Sequence, residues 1–162
     1  MKTLAPPSID IDRQPGHAIR RLHQISVGVF LQEAGDLGLT PVQYAALQTV
    51  ANQPGIDQRT LARNIALDAS TTGGVVDRLE TRGWLERRTA PEDRRARQLY
   101  LTLSGQQALA DAVPVMLRAQ EQILAPLGEA ERAEFMRMLD VLITQNNELS
   151  RAPSESSAER RP

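Results

Sequence analysis

None of the 162 residues is a cysteine, which excludes disulfides, thiolate metal sites, a cysteine nucleophile and thiol redox sensing. Aromatic residues make up 3% of the chain, too few for a protein that holds single strands by stacking bases. No apolar run approaches the ~20 residues that cross a membrane, and no apolar leader follows Met1. An excess of one charge is missing too: 19 basic residues face 20 acidic ones. Bulk electrostatics therefore announce no polyanionic partner. The remaining composition, 41% hydrophobic and 24% charged, is that of a folded chain with a core, and the length suits one domain. The expectation is a soluble, cytoplasmic domain without a membrane segment.

The distribution of charge says more than its sum. Between Arg78 and Arg97 seven arginines stand against four acids, while from Glu121 to Pro162 five arginines stand against eight acids. A basic middle and an acidic end point to one surface that meets anions and another that does not.

Residues 1–14 carry Pro6-Pro7 and no usable period, so they read as an N-terminal arm. Pro15 suits a first helical turn, and Ile19, Leu22, Ile25 and Val29 repeat at helical spacing to about Asp36. Thr40-Pro41-Val42-Gln43 is a capping box that opens a second helix, broken at Pro54-Gly55. Asp57 caps a short helix with Leu61, Ala62 and Ile65 inward. Leu67-Asp68 is a tight connection into the next helix, Ser70 to Arg82, which stops at Gly83. Leu85–Arg88 and Gln98–Leu103 read as two strands of a ribbon around the polar loop Thr89–Ala96. Ser104-Gly105-Gln106-Gln107 reads as a further capping box, opening a helix that Pro114 kinks without ending it. Gly128-Glu129-Ala130-Glu131 starts a last helix, striped by Phe135, Met138, Leu139, Leu142 and Ile143. Residues 151–162 have the composition of a disordered tail.

This order predicts a mainly α fold with a small β-ribbon: a winged helix-turn-helix between long N- and C-terminal dimerisation helices. The expected domain spans 15–150, with the winged helix at about 40–103 and dimerisation helices at about 15–37 and 104–150. Apolar stripes on the first, fifth and last helices exceed what one small lobe hides, which predicts a homodimer.

The stretches "GLTPVQYAALQTV" and "TLARNIALDASTTGGVVDRLETRGWLERRTAPEDRRARQLYLTLSGQQAL" make the chain resemble the MarR family of bacterial transcription regulators. The wing, Asp93-Arg94-Arg95-Ala96-Arg97 followed by Leu101-Thr102-Leu103-Ser104-Gly105, is the most specific part. The resemblance covers roughly 15–150. It implies a symmetric dimer on palindromic double-stranded DNA, a repressor released when a small, often aromatic, acid binds.

On the helix Ser70–Arg82 a rotation of 100° per residue gathers Thr72, Val75, Val76 and Leu79 on a buried side. Ser70, Gly73, Gly74 and Asp77 then point away, with Thr71 and Arg78 on the flanks. Adjacent glycines cost a helix roughly 1 kcal/mol each, which a close approach to its backbone would explain. Ser70 and Thr71 can meet base edges or phosphates, Arg78 a guanine or phosphate, and Asp77 either orients an arginine or accepts from cytosine. On a ribbon, Arg94 and Arg95 point to opposite sides; the resemblance makes Arg94 the minor-groove residue and leaves the other to pair with Asp93. Gln58, Arg59 and Thr60 are reasonable phosphate contacts, with Arg59 equally placed as plain surface. The expected DNA-binding set is Arg59, Thr60, Ser70, Thr71, Thr72, Gly74, Asp77, Arg78, Asp93, Arg94, Arg95 and Arg97.

His17, Arg20, Arg21 and His23 crowd the start of the first helix. A buried acid needs such a cationic partner, and only one of Arg20 and Arg21 can face a given cleft. These four residues, with Tyr44, are the candidate site for an aromatic carboxylate; exposed charges or interface residues, and a core tyrosine, are the other reading. His17 and His23 are badly spaced for one metal, and no cofactor is expected. No Ser-His-Asp, metal or phosphate-loop constellation points to an enzyme. A winged-helix module for protein contacts is the alternative, against which the arginine wing and the outward Ser/Thr/Gly face argue.

Overall fold

The computed structural model describes residues 9–89 and 97–149. Within the N-terminal arm, Ile11–Arg13 form a single 3-10 turn capped by Asp10. Helix α1 (Pro15–Ala34) follows with proline in its first turn, and buries only Phe30 and Ala34. It ends two residues before the expected Asp36, because Gly35 takes φ +45° and starts a 3-10 turn to Leu37.

Helix α2 (Pro41–Asn52) begins at the capping box. The Gln43 amide donates to Thr40 Oγ1 (3.3 Å) while the Thr40 amide donates to Gln43 Oε1 (3.0 Å). Helix α3 (Gln58–Asn64) is capped by Asp57, which accepts from the amides of Arg59 and Thr60 and from the Thr60 hydroxyl. Between α3 and α4 (Ala69–Thr81) the chain turns at Ala66, whose φ of +55° is a left-handed conformation taken without glycine. Asp68 caps α4 through the Thr71 amide (2.8 Å) and hydroxyl (2.6 Å).

The expected ribbon is part of a three-stranded antiparallel sheet. β2 (Leu85–Thr89) and β3 (Arg97–Leu101) pair from Leu85↔Leu101 to Thr89↔Arg97. The two-residue β1 (Ile56–Asp57) adds to the free edge of β3, giving the order β1-β3-β2. Two residues carry no readable alternation, so β1 exists only through its pairing.

Helix α5 (Leu103–Leu124) starts earlier than the apparent box at Ser104. Its cap is Thr102, whose Oγ1 accepts from the Gly105 amide (3.0 Å). Ser104 lies inside the helix and donates to the Gly83 carbonyl (3.0 Å). Gly105 sits so close to the Trp84 carbonyl that a Cβ there would overlap it. Pro114 interrupts the hydrogen-bond ladder but not the helix. α1 runs along α5, tied by Glu33, which accepts from Arg118 (2.8 Å) and Gln122.

The core joins α2, α3, α4, α5, the sheet and the end of α1 around Leu47, Leu61, Leu79, Leu85 and Leu99. Helix α6 (Glu129–Asn146) stands outside it and buries none of its residues. Its apolar side faces the first half of α1 across an open cleft of about 310 Å³, with Ile19 and Leu22 opposite Phe135, Met138 and Leu142. Past the end of α4, Arg82 stacks 3.6 Å over the Trp84 ring and donates to the carbonyls of Gly38 (2.6 Å) and Leu37 (3.3 Å). It thereby pins that end of α4 to the α1–α2 junction.

Candidate nucleic-acid interface

Helices α3 and α4 with their tight turn, and the β2–β3 pair behind them, present one surface. Helical periodicity gives α4 a buried side of Thr72, Val75, Val76 and Leu79, and Ser70, Thr71, Asp77 and Arg78 stand exposed on the other. Ser70, Arg78 and, on α3, Arg59 make no side-chain hydrogen bond among the described residues, so their donors face outward. Exposed donors at the start of α4 (Ser70), in its last turn (Arg78) and on α3 (Arg59) are what base edges and phosphates require.

Thr72 corrects the expected set. It is 0% exposed and its hydroxyl donates back to the Asp68 carbonyl at 2.9 Å, so its side chain belongs to the core. Thr60 and Thr71 are at the surface, but each donates its hydroxyl proton to a capping aspartate, at 2.7 and 2.6 Å. They fix helix starts and are left able only to accept. The glycine pair has a near neighbour: a Cβ at Gly73 would lie 3.3 Å from the Gln58 amide nitrogen, so the close approach comes from α3. Gly74 has more room, with the Arg78 guanidinium laid 3.7 Å from where its Cβ would be.

Asp77 takes the first of its two expected roles, for it accepts from Arg87 at 2.6 Å. Arg87, on the inner side of β2, also bonds Glu80 and reaches Gln58 Oε1 at 3.3 Å. Its partial burial disfavours the charge, but the carboxylates of Asp77 and Glu80 outweigh that and hold its pKa above the ordinary arginine value. One guanidinium thus locks α4, α3 and β2 together. The residue is absent from the expected set although its signal was present: in Leu85-Glu86-Arg87-Arg88 the strand period of two must send neighbouring arginines to opposite faces.

Of the wing residues, Arg97 is exposed and donates to Thr89 Oγ1 across the pair (2.8 Å). Asp93, Arg94 and Arg95 lie outside the described residues, as do the arm before Ile9 and the expected tail 151–162.

The cationic cluster of α1 divides. His17 and Arg21 share a face and converge on Asp12 Oδ1, at 3.7 and 3.3 Å, lining a cavity of about 250 Å³ with Ala18, Leu22 and Ile25. Arg20 and His23 are exposed and do not line it. Tyr44 does not join them. It packs on Phe30 with ring centroids 6.2 Å apart and donates to Gln48. Phe30 is thirteen residues beyond His17 on α1, roughly 20 Å along the axis. Within one chain, a carboxylate held by His17 and Arg21 cannot lay its ring on Tyr44.

No group of three or more His, Asp or Glu suited to a metal occurs among the described residues, and none of their helices is long and apolar enough to cross a membrane. Residues 39–96 match the MarR family model. The chain is 39% identical over 111 residues to a transcriptional regulatory protein for the hcr operon of Thauera aromatica, covering 68% of this chain and 67% of the relative. The PcaV transcriptional regulator of Streptomyces coelicolor, solved with its natural ligand, superposes with a TM-score of 0.80 at 33% identity, covering 85% of this chain and 97% of that one. BpsR of Bordetella bronchiseptica, whose DNA binding is regulated by 6-hydroxynicotinic acid, gives 0.79 at 28% identity, over 84% of this chain and 97% of that one. With these likenesses spread over the winged lobe and the flanking helices alike, the chain belongs to the MarR family and is a DNA-binding transcriptional regulator, not an enzyme.

Proposed function

We propose that two copies of this chain pair through α1, α5 and α6 and act in the cytoplasm as a repressor on a pseudo-palindromic operator, released by a small aromatic acid. The observation that carries the reading is the exposed face of α4 with the outward donors Ser70 and Arg78, backed by the Arg87 lock, on a family member whose α6 has no core of its own. The winged lobe, about 40–103, reads DNA, and the helices on either side of it join the copies. Ser70, Arg78 and Gly74 of α4 enter the major groove, Arg59 meets phosphate, and Arg94, flanked by Asp93, Arg95 and Arg97, enters the minor groove. The acid is supported by the 6-hydroxynicotinic acid that regulates DNA binding of BpsR and by the His17–Arg21 cavity. Asp12 holds both side chains until a carboxylate takes its place.

Two-fold symmetry puts half-site centres about 10–10.5 bp apart. Footprinting checks that spacing, and a single undivided half-site contradicts it. In the same assay Arg78→Ala relaxes base choice within the half-site by ~1–3 kcal/mol, while Arg94→Ala weakens binding chiefly at A·T-rich flanks. Equal losses on every sequence would refute this division of labour.

A further inference from the structure

The sheet has a second face, and it borders a cavity of its own. Arg87 points toward α4, so Arg88 points the other way, on the face shared by Glu86, Gln98 and Tyr100 through the pairs Glu86↔Tyr100 and Arg88↔Gln98. There Arg88 and Tyr100 meet Val50 and Ala51 at the end of α2, Pro54 beyond it, and Gln106 in the first turns of α5. Together they line a cavity of about 350 Å³. The guanidinium lies over the Tyr100 ring, 4.5 Å from its centroid. The ring is held in place: its hydroxyl donates to Gln98 Oε1 (3.1 Å) and rests on Gly55, where a Cβ would come within 2.9 Å of it. Gly55 also has φ +87°, so the position admits glycine on two counts.

Aliphatic walls, one aromatic ring, one stacked guanidinium and one amide suit a flat ring that carries a single carboxylate. The volume is near the lower end for ligand sites, which suits one ring better than a long acyl chain. Arg88 now holds Glu86, and the two side chains are 59% and 41% exposed. A pair so wet contributes little, and Glu86 returns to water at little cost when another carboxylate replaces it.

We propose that this cavity at the base of the wing binds a small aromatic monocarboxylate, as an effector site separate from the His17–Arg21 cavity. The inference rests on the aromatic-acid reading above and adds a second place for that acid to act. Arg88 adjoins Thr89, whose hydroxyl holds Arg97, and the opposite face of the same strand is locked to α4 by Arg87. A ligand there bears on the wing and the recognition helix together. Bound acid therefore lowers operator affinity, and operator lowers acid affinity by the same factor.

The test titrates the full-length chain calorimetrically with benzoate, 4-hydroxybenzoate and nicotinate, and measures operator release by the same acids. Wild type is compared with Arg88→Met, Arg88→Lys and Arg21→Met. Two acids per chain in wild type are expected, with one lost in Arg88→Met and the other in Arg21→Met. Arg88→Lys, which keeps the charge but not the flat fork, should bind severalfold more weakly, and Arg88→Met should need at least tenfold more acid for half release. One acid per chain, lost in Arg88→Met and kept in Arg21→Met, supports this site and removes the α1 cluster. One acid per chain, lost in Arg21→Met and indifferent to both Arg88 changes, overturns this site and leaves the effector reading intact. No saturable binding of any of the three acids overturns both.

Discussion

Leu47, Leu61, Val76, Leu79 and Leu99 of the winged lobe are at most 1% exposed, whereas Met138, Leu142 and Ile143 of α6 are 45%, 52% and 65% exposed. Both sets are aliphatic or thioether side chains repeating on one side of their elements. What separates them is what stands opposite. The lobe turns its helices and sheet upon each other, while the apolar side of α6 meets an open cleft against the first half of α1. Regulators of this family act as dimers, and the dimer proposed above would hide the uncovered faces of α1, α5 and α6. The lobe therefore carries its stability within one chain, and on the reading proposed above α6 takes its own from a second copy.

That contrast breaks most sharply at Leu142. Leu142→Glu should raise the dimer dissociation constant at least a hundredfold, about 2.7 kcal/mol, because the carboxylate would be desolvated at the seam. Sedimentation checks the loss of dimer, and fluorescence of Trp84, the chain's one tryptophan, should still report a folded lobe. A variant that remains dimeric would show that α6 is not the seam.

Changes inside the lobe should leave association alone. Asp57→Ala removes the cap of α3 and should cost ~1 kcal/mol, with a melting shift that does not depend on protein concentration. Burial pushes the Asp57 pKa up, but the Thr60 hydroxyl and the amides of Thr60 and Arg59 outweigh it, so the folded value lies below the usual carboxylate one. Its contribution is complete above the unfolded value of about 3.9 and is lost as pH falls through the lowered folded value. Acid titration of stability should therefore be shallower in Asp57→Asn than in wild type. The smallest effect belongs to Ala66. Ala66→Gly relieves a left-handed cost of roughly 1–2 kcal/mol against a glycine entropy cost of 0.5–1, for a net gain of about 0.5 kcal/mol by chemical denaturation.

The same division governs what could be read from residues alone. Helix starts in the lobe are local events, with donor and acceptor three residues apart, so Thr40 with Gln43, Asp57 and Asp68 were legible. The start of α5 misled because Ser104-x-x-Gln imitates a box, while the choice of Thr102 is made by Trp84, whose carbonyl crowds Gly105 from a distant turn. In the interface, the outward set Ser70, Asp77 and Arg78 follows from helical period, and the same period already turned Thr72 inward. Arg87 depends on carboxylates seven and ten residues back and on Gln58, a convergence that only the packed lobe reveals. Tyr44 and His17 show the reverse error, two plausible partners that α1 holds far apart.

Arg82 gives the recognition helix a pivot. With Arg82, just past its last turn, fastened to the carbonyls of Leu37 and Gly38, α4 is anchored beside the junction of α1 with the lobe, and its far end is the one that carries Ser70. Thirteen residues make a lever of roughly 20 Å, so a tilt of about 5° at the pivot sweeps the far tip by about 1.7 Å. A hydrogen bond to a base edge does not survive a displacement of that size. Because Arg87 locks α4 to α3 and β2, the lobe tilts with it, and on the reading proposed above a few degrees at one arginine are enough to take Ser70 and Arg78 off their partners.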